Sequence, residues 1–228
     1  AIQTIKASID YLVDNSPATK VAFIVDLGDL LEIDNFKNAT PKSGNILDVD
    51  GRYSKIFVVA LEAMTYMVEK ALTKHEEVVF SNISGNHDGV SGHAVRAYVQ
   101  AWFMNNARVI VDDTALDIKY LQFGSTMLGF AHGDGLSMRD AGEVMACDNE
   151  GVFSQTVNRY FHFGHNHKDS VYDGRLCRSE SHRNLSPLNN WAAHKGYRRQ
   201  AGTMKCISYH KDFGEISRTT FNVNMMEG

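Results

Sequence analysis

The stretch KVAFIVDLGD, residues 20–29, decides the fold that this sequence predicts. Its apolar side chains form a continuous run, which is typical of a strand buried on both faces of a sheet. The run ends in a Gly-Asp pair at 28–29. A second continuous run, EEVVFSNIS at 76–84, ends in Gly-Asn-His-Asp at 85–88. Two buried strands that alternate with helical patterns predict an α/β fold.

The spacing of apolar residues predicts the other elements. Helices are expected over 1–14, 52–74 and 92–106, and strands over 108–112, 116–123, 126–131, 159–163, 169–173 and 175–181, followed by a last pair joined by the turn KDFG. Polar loops are expected at 32–51 and 182–202. No linker or repeat divides the chain, so residues 1–228 are expected to form one α/β domain with a mixed or two-sheet core.

Composition narrows the class of protein. The 228 residues are 43% apolar and 22% charged, as in a globular domain, and no apolar run is long enough for a membrane span. No signal peptide is recognisable. The three cysteines are widely spaced, which indicates reduced thiols and predicts a cytoplasmic location. Basic residues outnumber acidic ones only from 168 to 218, so that segment is either a solvated face or a surface for a polyanion such as nucleic acid.

Polar residues that can bind metals follow four of the expected strands. They occur as Gly-Asp at 28–29, Gly-Asn-His-Asp at 85–88, His-Gly-Asp at 132–134 and Gly-His-Asn-His at 164–167. In α/β sheets the carboxyl ends of the strands form the crevice where ligands bind. Carboxylate and amide oxygens together with imidazole nitrogens suit Mn, Fe, Zn or Ni.

Each of these motifs has an ordinary structural interpretation when it is taken alone. A Gly-Asp pair is a common turn, and a single histidine more often has a structural role. His165 and His167 would point to opposite faces of an extended strand, so they serve one cluster only if two metals lie side by side or if the segment is a loop. The occurrence of all four motifs at strand ends, in this order, favours a metal site.

The ordered set GD, GNHD, H and GHNH resembles the calcineurin-like metallophosphoesterase superfamily, over residues 29–167. This resemblance implies a four-layer αββα sandwich of two mixed β-sheets flanked by helices, with a dinuclear metal site. Asp29 would bridge the two metals. Asn86, His132 and His165 would complete one metal site, and His167 would bind the other metal. Mn is favoured, with Fe, Zn or Ni as alternatives.

The same resemblance assigns a catalytic role to one further histidine. His87 would face the substrate phosphate, where it would stabilise charge or protonate the leaving group while a metal-activated water attacks phosphorus. Asp88 is expected to fix His87 from behind. His93 and Asp134 are weaker candidates for contacts with the substrate or with the ligands.

One motif of the family is absent. The resemblance implies an Asp-x-His pair on a first strand upstream of Asp29, and none of Asp10, Asp14 and Asp26 is followed by such a histidine. The favoured explanation is an N-terminally truncated enzyme without its first strand, and the alternative is a degenerate member with one metal site. In either case one metal or none is expected here, and the open strand edge would favour self-association.

The function predicted is hydrolysis of phosphate esters, with phosphodiesters in nucleic acid or nucleotides favoured because of the basic loop at 182–202. The alternative is a non-catalytic or degenerate metal-binding module that binds nucleic acid or a protein partner. The segments NATPKSG, DVDGRYSK and SPLNNWAAHKGY also resemble a phage-associated branch of the superfamily, which would place the protein in the host cytoplasm.

Overall fold

A computed structural model describes residues 2–37, 39, 44, 52–186 and 201–226. Its helices are α1 (Ile2–Asn15), α2 (Tyr53–Leu72), α3 (Gly89–Trp102), α4 (Ala141–Asp148) and α5 (Glu150–Phe153). Its strands are β1 (Val21–Asp26), β2 (Glu77–Asn82), β3 (Val109–Val111), β4 (Ile118–Phe123), β5 (Thr126–Ala131), β6 (Asn158–Phe163), β7 (Ser170–Asp173), β8 (Arg178–Ser181), β9 (Thr203–His210) and β10 (Gly214–Asn222). A 3-10 turn (Val223–Met226) ends the described chain.

The elements predicted from apolar spacing are confirmed in type and order. Helix α3 begins at Gly89, three residues before its predicted start at position 92, and ends at Trp102, four residues before its predicted end at position 106. Helix α4 was not predicted from apolar spacing. Most residues of the two predicted loops, at 32–51 and 182–202, lie outside the described part of the chain. In the described part of the chain, no helix has both the length and the apolar character that a membrane crossing requires.

The strands form two sheets and a hairpin. The first sheet has the order β1-β2-β3, and its pairings in the described residues are parallel. The second has the order β4-β5-β6-β8-β7, in which β5, β6 and β8 are parallel to one another and the two outer strands are antiparallel. Strands β9 and β10 pair as an antiparallel hairpin.

Three apolar clusters show how these parts are layered. The first joins α2, α3 and the first sheet through residues such as Val68, Phe80 and Val95. The second joins the outer face of the five-stranded sheet to α4. The third lies between the sheets and contains Ile83, Leu128 and Phe130, among others. The layers are therefore helix, sheet, sheet and helix, as predicted.

The parallel strands bring the polar motifs together. Strands β1 and β2 are parallel neighbours, and so are β5 and β6, so the segments that follow each pair leave the same edge of their sheet. Those segments carry GD, GNHD, His132 and GHNH. The fold therefore places all four motifs where the two sheets meet.

Candidate metal centre

Four side chains converge around one nitrogen of His132. Its Nε2 lies 3.1 Å from Asn86 Oδ1, 3.2 Å from Asp29 Oδ2 and 3.2 Å from His165 Nδ1. The ligand atoms of Asp29, His132 and His165 all lie within 4.8 Å of one another. These are four of the five side chains predicted to bind metal, and they come from four different segments of the chain.

The chemistry of this donor set fits a cation. The opposite nitrogen of His132, Nδ1, lies 2.8 Å from the carbonyl oxygen of Leu27 and must donate a proton to it. In the neutral ring, Nε2 therefore presents a lone pair to a carboxylate oxygen, an amide oxygen and a second imidazole nitrogen. A divalent cation satisfies all four atoms at once, because carboxylate, amide and imidazole are its usual ligands.

The backbone is strained at three of the predicted ligands. Among the described residues, the only non-glycine positions with positive φ are Asp29 (59°), His165 (55°) and His167 (50°). Such conformations are uncommon for residues other than glycine and cluster at functional sites. Positive φ also answers the objection to GHNH, because residues 165 and 167 lie in a turn and not in an extended strand whose side chains would alternate.

Two glycines allow the chain segments to approach one another. Gly28 has φ of 86°, and a Cβ there would lie 2.7 Å from His132 Nδ1. A Cβ on Gly85 would overlap the Oδ1 atom of Asp29. The glycines that precede Asp29 and Asn86 are thus required by close packing between the two motifs.

Asp88 holds the backbone around the centre. It is buried, and its carboxylate accepts hydrogen bonds from the backbone N–H groups of Gly85 (3.0 Å), Asp29 (3.1 Å) and Leu31 (3.3 Å). Burial raises the pKa of Asp88, and these three hydrogen bonds oppose that rise. The residue was expected to fix the ring of His87, but it instead fixes the two loops that carry Asp29 and Asn86.

His87 is oriented by the segment after Asp29. Its Nδ1 lies 3.0 Å from the carbonyl oxygen of Glu32, and its backbone N–H donates to Asp29 Oδ1 at 2.8 Å. The carbonyl fixes the tautomer with a proton on Nδ1. The Nε2 atom of His87 is therefore left to face other partners.

Asp29 and His132 each stabilise the charged form of the other. Burial acts to raise the pKa of Asp29, but hydrogen bonds from His132 and from the backbone of His87 outweigh it and lower the pKa. Burial acts to lower the pKa of His132, but the Asp29 hydrogen bond and the Leu27 carbonyl together raise it. For His165, partial burial and the nearby His132 lower the pKa. Its ring is thus neutral and available as a ligand at neutral pH.

The remaining predicted site residues are His167, Asp134 and His93. His167 is not part of the convergent group, although Asp29 and Glu32 are close enough to influence its pKa, which desolvation lowers. Asp134 is exposed, and its charge tends to raise the pKa of His132 and His165. His93 is exposed on α3, where its ring contacts Arg96 at 3.3 Å.

A second group of possible ligands lies between the five-stranded sheet and the β9–β10 hairpin. It comprises His162, Glu180 and His182. The carboxylate of Glu180 is already bound by Arg218 and by Lys205, the latter at 3.3 Å. Because two permanent cations surround the only carboxylate, this group is better suited to stability than to a divalent metal. His182 and Arg183, at the start of the predicted basic loop, belong to this packed region; residues 187–200 lie outside the described chain.

Sequence reasoning missed two groups that position the candidate residues. The carbonyls of Leu27 and Glu32 belong to the backbone and leave no side-chain signature. Asp34 is different, because its place five residues after the Gly-Asp motif is compatible with a loop-capping role. Its carboxylate accepts the backbone N–H groups of Val90 (2.7 Å) and Ser91 (2.9 Å) at the start of α3.

Comparison with known proteins gives similarity in structure only. No family model and no curated protein matches the chain. An archaeal phosphodiesterase is 11% identical, with a TM-score of 0.40 and coverage of 90% of this chain and 99% of that one. Vps29 of Entamoeba histolytica, solved with Zn²⁺, is 13% identical (TM-score 0.36; 90% and 99% covered). A predicted phosphoesterase of Streptococcus pneumoniae is 9% identical (TM-score 0.34; 89% and 96% covered). Similarity this low does not transfer an activity.

Proposed function

We propose that this chain is a metal-dependent phosphoesterase, with phosphodiesters as the favoured substrates. The observation that carries the proposal is the convergence of Asp29, Asn86 and His165 on the Nε2 atom of His132. These four residues would hold a divalent cation, with Mn²⁺ as the favoured ion. A cation bound there acts as a Lewis acid toward a phosphoryl oxygen.

The protein side chains supply proton transfer and orientation. His87 is tethered to Asp29 through its backbone and to Glu32 through its ring, so it stays beside the metal ligands. In the imidazolium form, its Nε2 atom would hold the proton that the leaving oxygen takes up, in the manner of a general acid, and the ring would be left neutral with its proton on Nδ1. His167 would contribute to a second metal, and Asp134 would add negative charge nearby.

The experiment is hydrolysis of bis-p-nitrophenyl phosphate and of p-nitrophenyl phosphate with Mn²⁺. We expect faster hydrolysis of the diester, loss of activity with a chelator, and loss with Asp29→Asn. Replacement of His87 by Ala should lower kcat about 100-fold or more, the usual contribution of a general acid. His210→Ala is the control, because His210 lies at the end of β9 and stacks on Phe213 away from the ligands.

The outcomes separate the proposal from its alternative. Binding of Mn²⁺ without hydrolysis of either ester would favour the non-catalytic metal-binding module. Unchanged hydrolysis in His87→Ala would remove that residue from the mechanism. The single domain, the upstream Asp-x-His strand, self-association and the phage association stay predictions.

A further inference from the structure

The segment that follows Asp29 carries an exposed aromatic side chain. Two contacts fix the path of the chain after Asp29. The carbonyl of Glu32 contacts the ring of His87, and the carboxylate of Asp34 accepts two backbone N–H groups at the start of α3. Two residues later comes Phe36, which is 84% exposed. Two residues of chain reach at most about 7 Å, so Phe36 stays close to the start of α3.

Phe36 is held in place although it is exposed. Its ring packs edge-to-face against Tyr53 at 5.4 Å between centroids. Tyr53 in turn stacks on Phe57, and its hydroxyl lies 2.5 Å from Ser91 Oγ. The support reaches from α2 to α3, so the aromatic ring is fixed relative to both helices.

Phe36 is exposed, and cations neighbour it and its partner Tyr53 in the sequence. Phe36 has the highest exposure among the large apolar side chains of the described residues, and leaving such a ring in water gains nothing for folding. Lys37 follows it directly and Arg52 precedes its partner Tyr53, and both cations are exposed. An aromatic ring beside cations is the arrangement that binds the bases and phosphates of single-stranded nucleic acid.

We infer that Phe36 is a stacking platform for a nucleobase carried by the phosphoester that occupies the metal centre. This inference rests on the proposed function and names its substrate class: nucleotides or nucleic acid, in preference to esters without a base. A supported ring that has a cation next to it in the sequence fits one planar base next to a phosphate.

Two diesters with the same leaving group test the inference. Thymidine 5′-p-nitrophenyl phosphate carries a base, and methyl p-nitrophenyl phosphate does not. The ratio of kcat/KM for the first to that for the second should fall about tenfold in Phe36→Ala, since stacking on an aromatic ring contributes on the order of 1–3 kcal/mol per base. Phe36→Trp should preserve the ratio.

The matched control is Phe213→Ala. Phe213 is also a highly exposed phenylalanine, at 73%, but it lies in the β9–β10 turn, next to the amino ends of β5 and β6. The ratio should stay at the wild-type value in this variant. An unchanged ratio in Phe36→Ala, or an equal fall in both variants, would overturn the inference.

A binding experiment tests the inference even if no ester is hydrolysed. Calorimetry would compare thymidine 5′-monophosphate with 2-deoxyribose 5-phosphate in the presence of Mn²⁺. We expect the nucleotide to bind more tightly than the base-free phosphate, and Phe36→Ala to abolish the difference. Base-dependent binding without hydrolysis would defeat the proposed catalysis but support the platform. Equal binding of both ligands to the wild-type protein would defeat the platform.

Discussion

His132 Nε2 lies 3.2 Å from Asp29 Oδ2, while the opposite nitrogen of the same ring is engaged by the backbone of Leu27. The carbonyl of Leu27 thus decides which nitrogen faces the carboxylate. His132 is only 3% exposed, so its ring has little freedom to turn. A candidate ligand atom fixed in this way would be preorganised for a metal.

The first prediction concerns that histidine. His132→Gln should weaken Mn²⁺ binding by more than about tenfold, because even residues that only orient ligands contribute 10–100-fold. Calorimetric titration would measure the affinity, and circular dichroism would check the fold. His210→Gln should bind Mn²⁺ as the wild type does. Equal affinities in the two variants would show that the convergent group is not the metal site.

The second prediction uses Gly85 and Gly89, the glycines on either side of residues 86–88. Gly85→Ala places a methyl group against the Asp29 carboxylate, whereas a Cβ on Gly89 meets no atom within 4 Å. We expect Gly85→Ala to abolish Mn²⁺ binding and hydrolysis, and Gly89→Ala to retain both. Steady-state kinetics and metal titration would measure the difference. Retained metal binding in Gly85→Ala would mean that the loops that carry Asp29 and Asn86 can move apart and still bind the metal.

The sequence predicted which side chains would converge because they lie at the ends of recognisable strands. Continuous apolar runs located β1, β2, β5 and β6, and the motifs follow directly from those runs. The start of α3 was placed too late because its first residues, Gly89 to Gly92, are weak helix formers. The N–H groups of Val90 and Ser91 are satisfied by Asp34, more than fifty residues upstream, and no local pattern reports such a distant contact.

The sequence did not predict the polar contacts among His162, Glu180 and Arg218, for a different reason. His162 faces Glu180 in the register of β6 with β8, and Arg218 reaches Glu180 from the hairpin. None of these neighbours can be inferred from spacing along the chain, because register between distant strands depends on tertiary packing. His162 alternates with apolar side chains in RYFHF at 159–163, and its burial at 6% exposure is typical of a structural histidine.

The third prediction concerns the stability that Glu180 provides. Burial tends to raise its pKa, but the hydrogen bonds with Arg218 and the charges of His182 and Lys205 lower it to about 2 from 4.5. Because the pKa is depressed in the folded state, the stabilisation is complete above pH 4.5 and is lost as the pH falls toward 2. A shift of this size corresponds to about 3 kcal/mol in the free energy of unfolding.

Urea unfolding of Glu180→Gln would measure that contribution. At pH 7 the variant should be less stable by about 3 kcal/mol, and the difference should shrink as the pH falls below 4.5. Glu62→Gln is the control, because Glu62 is 52% exposed in its pair with Lys6 and such surface pairs contribute less than about 1 kcal/mol. A difference for Glu180→Gln that did not depend on pH would contradict the assignment.

The last prediction concerns His162. Burial, together with the neighbouring His182, lowers its pKa to about 3. In the unfolded chain the pKa is near 6.5, so the folded state excludes a proton that the unfolded state binds. The resulting stabilisation is complete above pH 6.5 and is lost as the pH falls from 6.5 toward 3. The same applies to His182, whose pKa burial lowers to about 4.

Replacement of His162 by Phe would separate the contribution of His162 to the pH dependence of stability from that of His182. The new ring retains the stacking on Phe130 but cannot titrate. Between pH 6.5 and 5, the His162 ring should lower the free energy of unfolding by up to about 1.4 kcal/mol for each unit that the pH falls, in addition to the other groups that titrate in this range. The slopes of the wild type and of His162→Phe should therefore differ by up to this amount, although the lost hydrogen bond to Tyr209 lowers the stability of the variant at pH 7. Equal slopes in the two proteins, or an NMR titration of the His162 ring near pH 6.5, would show that the ring is not held neutral by burial.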